Sequence, residues 1–294
     1  MTAYRIAVAQ HACSDDKKEN IARYSRLVKQ AAERGANLIV LQELHNSRYF
    51  CQTEDAAYFN LAAPIPGSDS DILAELAKTH KLTIVGSLFE ARGHGIYHNT
   101  AVVIDPYGKL CGRYRKMHIP DDPGYYEKYY FTPGDLGFQP IDSPQGKLGV
   151  LVCWDQWFPE AARLMALAGA EVLIYPTAIG WAPGDSQAVQ QRQLDAWVTA
   201  LRANAITNGV YVVAPNRIGL EPDPSGQSSG SNFWGNSLII GPQGEIIERG
   251  SADSEALLIA DIDSSYSESI RRQWPYLRDR RIDAYAPLLN RYNV

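Results

Sequence analysis

Short apolar runs alternate along this chain with stretches that carry a single apolar face. Residues 5–10 alternate and then run apolar, and in the next stretch Ile21, Tyr24, Leu27, Val28 and Ala31 fall on one side at helical spacing. Asp16 with Glu19 three residues later predicts a capping box for that helix, and Gly35 its end. Residues 36–41, Ala-Asn-Leu-Ile-Val-Leu, then form a run of the kind buried inside a sheet. The segment predicts a β-α-β start.

The same alternation recurs downstream. A helix is predicted over 71–80, a strand over 82–89, and a hairpin over 100–115 that turns at Asp105-Pro106-Tyr107-Gly108. Strand 148–153, helix 160–168, strand 171–175, a long helix over 186–208 and strand 210–214 follow. Strands 237–240 and 257–262 are predicted to flank a second hairpin turning at Gly241-Pro242-Gln243-Gly244. Helices and strands interleave throughout, so the class is α/β, with sheets that need cover on their faces. No repeat is visible, and residues 1–294 read as one domain. Residues 219–230, GLEPDPSGQSSG, are nearly free of large apolar side chains and predict a surface loop long enough to act as a lid.

Composition narrows the function. With 45% hydrophobic and 21% charged residues the chain has ample material for a core. Its net charge of -5, with no long basic run, argues against nucleic acid. The first twenty residues lack a basic segment followed by an apolar one, and no stretch reaches the roughly 18 apolar residues of a membrane helix. A cytosolic protein with no membrane partner is expected. Cysteines 13, 51, 111 and 153 form no C-x-x-C pair and no Cys/His cluster, so no metal is expected.

Three groups stand out by position. Cys153 ends a strand-like run and precedes Trp154-Asp155-Gln156-Trp157-Phe158-Pro159-Glu160, which turns into a helix. Ligands in α/β sheets bind outside such strand ends, and a following helix N-terminus favours the thiolate. Glu43 ends the buried run 38–42, where a carboxylate must be desolvated or paired, the setting of a general base. Lys116 follows the strand of the first hairpin. One nucleophile, one base and one cation at three strand ends say more together than any does alone. Gly226-Gln227-Ser228-Ser229-Gly230 fits a serine-hydrolase pattern, but its flanks are polar loop and not strand and helix. His45 and His118 lie near the motifs, with packing or surface roles the simpler reading.

Leu41-Gln42-Glu43-Leu44, Tyr114-Arg115-Lys116-Met117-His118 and Val152-Cys153-Trp154-Asp155 resemble, in order and spacing, the motifs of the nitrilase-like carbon–nitrogen hydrolases. The resemblance implies a four-layer αββα sandwich and a cofactor-free thiol mechanism in which Cys153 attacks, Glu43 moves the proton, and Lys116 with the Trp154 N–H stabilises the oxyanion. It also implies that Glu127 orients Lys116 and a small-molecule substrate, and that copies self-associate through helix 160–168. Aromatic walls from Tyr49, Tyr125, Tyr126 and Trp154, with a carboxylate from Asp121, Asp122 or Glu221, would suit a substrate with an apolar stem and a cationic end. The competing expectation is a silent member that binds a ligand in the same crevice, and the intact Glu, Lys and Cys set counts against it.

Overall fold

The alternation of apolar side chains seen in the sequence sorts two sheets and their covering helices into layers. A computed structural model describes residues 3–293. The first half contains β1 (Ala3–Gln10), α1 (Lys17–Glu33), β2 (Leu38–Val40), α2 (Ser68–His80), β3 (Thr83–Gly93), β4 (Ile96–Ile104), β5 (Leu110–Arg115) and the single-turn α3 (Glu127–Tyr130). The second contains β6 (Ile141–Ser143), β7 (Gly146–Val150), α4 (Pro159–Leu167), β8 (Val172–Ile174), β9 (Gly180–Trp181), α5 (Gln187–Asn208), β10 (Tyr211–Ala214), β11 (Ile218–Glu221), β12 (Ser231–Trp234), β13 (Leu238–Ile240), β14 (Ile246–Arg249), β15 (Ala256–Asp263) and α6 (Ser264–Gln273).

One sheet has the order β15-β1-β2-β3-β4-β5 and the other β14-β13-β10-β8-β7-β6. Each has three parallel strands at its centre, β1-β2-β3 and β10-β8-β7, with antiparallel strands outside them. Period-two alternation divides the side chains. Ile6, Val8, Leu38 and Val40 point into the core shared with Leu148, Val150, Val172 and Ile174 of the second sheet. Ala7, Ala9, Ile39 and Leu41 point the other way, onto Tyr24, Leu27 and Val28 of α1 and Leu73 of α2. On the far side, Met165 of α4 and Trp197 and Leu201 of α5 pack on the second sheet. The result is the four-layer αββα sandwich. No helix among the described residues is long and apolar enough to cross a membrane.

Local signals account for most boundaries. Asp16 caps α1 by accepting from Lys18 N at 2.8 Å, but Glu19 pairs with Arg23 at 3.3 Å and does not complete a capping box. Ser186 caps α5 and Gly209, at φ +58°, ends it. The first hairpin turns as expected, with the Asp105 carboxylate accepting from Tyr107 N and Lys109 N.

Two expectations are corrected. The partner of β13 across the turn 241–244 is β14, which the sequence reading missed, whereas β15 crosses to the first sheet and pairs with β1. β14 is Ile-Ile-Glu-Arg with every residue exposed, so it carries no alternation. The segment 219–230 is not one loop: β11 and β12 pair antiparallel and only residues 222–230 form the tip. That tip is internally tied, because Asp223 accepts from the backbone N and hydroxyl of both Ser225 and Ser228.

Candidate active site

Glu43, Lys116 and Cys153 follow the carboxyl ends of β2, β5 and β7, so the layering that buries the two inner faces brings all three to one end of the sandwich. Beyond β7 the chain stays sheet-like, with Leu151 N donating to Ile174 O and Cys153 N to Pro176 O, both at 2.9 Å. Cys153 itself is left-handed at φ +42°, and Leu44, directly after Glu43, has φ +48°. A non-glycine residue pays roughly 1 to 2 kcal/mol for that conformation, so two of them at these positions mark turns held by their surroundings.

Lys116 is fully buried and its ammonium is saturated. Its Nζ lies 2.8 Å from Glu43 Oε1 and 2.9 and 2.7 Å from the two oxygens of Glu127. Burial works against the cation, but Glu127 and Glu43 outweigh it and hold the ammonium well above its ordinary pKa. Glu43 Oε1 also accepts from Asn99 Nδ2 at 2.7 Å, while Oε2 is buried with no hydrogen-bond partner. Glu127 takes a further hydrogen bond from the Tyr49 hydroxyl at 2.6 Å, and burial raises its carboxyl.

The Cys153 thiol is buried, and that burial, reinforced by the Glu43 charge and opposed by Lys116, pushes its pKa well above the usual value. This corrects the expectation of a thiolate favoured by a helix N-terminus. The thiol sits at the start of a short 3-10 turn, Cys153–Trp157, and two carboxylates against one ammonium leave the surroundings negative. Burial and the Glu43 charge thus favour the protonated thiol over the thiolate.

Asp155 locks the cysteine turn to the lysine segment. Its Oδ2 accepts from Val152 N at 3.0 Å and from the Tyr114 hydroxyl at 2.9 Å, and its Oδ1 lies 3.0 Å from His118 N and 2.7 Å from His118 Nδ1. His118 stacks on Phe158 with centroids 3.7 Å apart, and His45 is buried edge-on against Tyr24, so both histidines pack and neither lines the site.

A cavity of about 380 Å³ opens in front of Cys153, lined by Glu127, Asp122, Trp154, Trp157, Tyr125 and Trp234 among others. An adjoining cavity of about 590 Å³ shares Pro123, Tyr125 and Ala182 with it and carries Glu54 and Asp223. Neither is lined by a lysine or arginine among the described residues. Of the expected walls, Trp154 and Tyr125 line the inner cavity and Tyr126 only the outer one. Tyr49 is no wall: it is buried behind the site with its hydroxyl on Glu127. Of the three acids proposed for a cationic end, Asp122 lines the inner cavity, Asp121 lines neither, and Glu221 is buried against Arg217 at 2.8 Å. Sequence reasoning gave no role to Asn99, Trp157 or Arg217; Asp155 was visible beside Cys153 but had no assigned contact.

Layering and site together place the molecule in the class of nitrilase-like hydrolases. The chain belongs to the carbon-nitrogen hydrolase family, whose profile matches residues 5–272. It is similar to the N-carbamoylputrescine amidase of Solanum lycopersicum, at 45% identity over 286 residues, 97% of this chain and 94% of that protein. Among solved structures it is similar to a carbon-nitrogen hydrolase from Helicobacter pylori G27, with a TM-score of 0.97, 49% identity, and 99% and 100% of the two chains covered. It is also similar to a mutant of the amidase from Nesterenkonia sp. AN1 that shows covalent addition of the acetamide moiety of fluoroacetamide at the active site cysteine. That likeness has a TM-score of 0.75 at 26% identity and covers 95% of this chain and 94% of the other.

Proposed function

We propose that this protein hydrolyses N-carbamoylputrescine to putrescine, carbon dioxide and ammonia, with Cys153 as nucleophile, Glu43 as base and Lys116 as electrostatic partner. The observation that carries the chemistry is the division of labour within Glu43: one oxygen is fixed by Lys116 and Asn99, and the other is buried without a partner. That free oxygen takes the thiol proton as sulfur attacks the ureido carbon. The oxyanion forms against the Trp154 N–H, a donor worth roughly 3 to 4 kcal/mol in comparable sites, and in the field of the Lys116 ammonium. Ammonia departs with the proton returned by Glu43, which leaves an N-alkylcarbamoyl thioester on sulfur. Water, deprotonated by Glu43, then attacks the thioester carbon and the thiol is restored. The N-alkyl carbamate so released loses carbon dioxide to give the amine.

The substrate assignment rests on the name of the Solanum lycopersicum relative and on the character of the cavities. Segments 46–52, 116–127 and 233–237 also resemble the N-carbamoylputrescine amidases. Aromatic walls suit a four-carbon stem, Asp122 offers a carboxylate to its ammonium, and no lysine or arginine among the described residues lines the cavity, which disfavours a substrate carboxylate. A side-by-side assay tests this. N-carbamoylputrescine is expected to have a higher kcat/KM than N-carbamoyl-β-alanine, an N-carbamoyl-D-amino acid or citrulline, and Asp122→Asn is expected to raise its KM about tenfold with little change in kcat. A higher kcat/KM for any of the carboxylate-bearing compounds would overturn the polyamine reading and leave the catalytic set standing.

A further inference from the structure

We propose that Arg217 and Glu221, which line neither cavity, are positioning residues for this reaction: their buried ion pair holds Glu43 and Glu127 in place on the two sides of Lys116. The inference rests on the catalytic reading above and adds to it the device that fixes its geometry.

Arg217 immediately precedes β11 and Glu221 ends it, so the two side chains, four residues apart on a strand, share one face. Arg217 is completely buried and Glu221 nearly so. The guanidinium spends its hydrogen bonds on the segment that carries the proposed base. Nη2 donates to Glu43 O at 2.6 Å and to Leu44 O at 3.2 Å, and Nη1 to Ser47 O at 3.2 Å and to Glu221 Oε1 at 2.8 Å. The left-handed Leu44 is thus gripped through the carbonyls on both of its sides, which fixes the direction in which the Glu43 side chain leaves the backbone.

The other half of the pair acts on the second carboxylate. Glu221 Oε2 accepts from Tyr49 N at 2.5 Å, and the Tyr49 hydroxyl donates to Glu127 Oε1 at 2.6 Å. Contacts therefore close into a ring that runs from Arg217 to Glu43, Lys116, Glu127, Tyr49 and Glu221 and back to Arg217. The guanidinium also lies 5.2 Å from the Phe233 ring centroid and 6.0 Å from that of Tyr49, which closes its faces to water. A buried ion pair is on average a poor source of stability, so a pair whose contacts end on two site segments is better explained by orientation.

The test uses the full-length enzyme with Tyr49→Phe, Glu221→Gln and the double variant. Tyr49→Phe removes one hydroxyl and keeps the ring. Glu221→Gln can accept from Tyr49 N or face Arg217 with its oxygen, but cannot do both. Folding is checked by circular dichroism, and kcat, KM and the kcat–pH profile are measured with N-carbamoylputrescine. Each single variant is expected to lower kcat about tenfold or more with KM within about threefold, and to shift the pH profile. The double variant is expected to be no worse than the poorer single one, because both cut the same line of contacts. Losses that multiply in the double variant would overturn the proposal. So would a Glu221→Gln enzyme that melts earlier but keeps its kcat and pH profile. Should Glu221→Gln fail to fold, Tyr49→Phe decides alone, and an unchanged kcat and profile there rejects the role. Cys153→Ala is assayed in parallel: turnover surviving in it would remove the catalytic reading itself, whereas multiplicative losses remove only this one.

Discussion

Lys116 is the residue on which stability and chemistry meet. It is the cation between two buried carboxylates, so Lys116→Ala strands Glu43 and Glu127 against each other. Removing one partner of a buried pair costs about 3 to 5 kcal/mol, so the variant should unfold at clearly lower urea and lose nearly all turnover in the fraction that remains folded. Urea titration followed by assay of the folded fraction checks this, and an unchanged urea midpoint would mean that the two carboxylates do not depend on the ammonium. Glu43 and Cys153 were legible in the sequence because each follows an apolar strand run, and Lys116 because it follows the strand of a hairpin; strand ends gather at one end of a sandwich. The contacts of Tyr49 and Asn99 were not, since 78 and 56 residues separate them from the carboxylates they bond. The thiol's protonation was misread for a related reason: burial and neighbouring charge are properties of the assembled site.

At the scale of elements, Asp155 ties the cysteine turn to the segment after β5 by bonding both. Asparagine there would present an amide to donors that now meet carboxylate oxygens, leaving at least one buried donor without an acceptor, at a cost of roughly 1 to 3 kcal/mol. Asp155→Asn is therefore expected to lower the unfolding midpoint and to reduce kcat with KM little changed. A variant with wild-type stability and kcat would show that the two segments are held by other means. The same scale explains which elements were readable. The strands at the centre of the two sheets and the capped helices α1 and α5 carry periodicity or a boundary signal. β6, β9, β11, β12 and β14 have two to four residues each without the continuous apolar run that marks the equally short β2 and β8, and several lie at sheet edges.

For the whole molecule, acid sensitivity follows from histidines shut inside the sandwich. Burial lowers His11 to about 4 and His45 to about 3, both below the 6.5 of the unfolded chain. The neutral ring is thus the folded form, and its stability is complete above about pH 6.5 and is lost as the pH falls towards those values. Each such group removes about 1.4 kcal/mol per pH unit in that window. Glu127, raised by burial, takes up its proton in the folded state and works the other way, one group against the buried rings of His11, His45 and His98, the last also lowered by burial. A net loss of stability is expected between pH 6 and pH 5 by urea titration. A flat profile over that interval would contradict neutral burial of these rings.

The central claim, that Cys153 alone among four cysteines is the nucleophile, is tested most directly by mass spectrometry with peptide mapping after brief exposure to an α-halo amide. The account predicts one adduct, on Cys153, whose formation is competed by N-carbamoylputrescine. Preferential labelling of Cys13, Cys51 or Cys111, or labelling of Cys153 that the substrate does not slow, would contradict it.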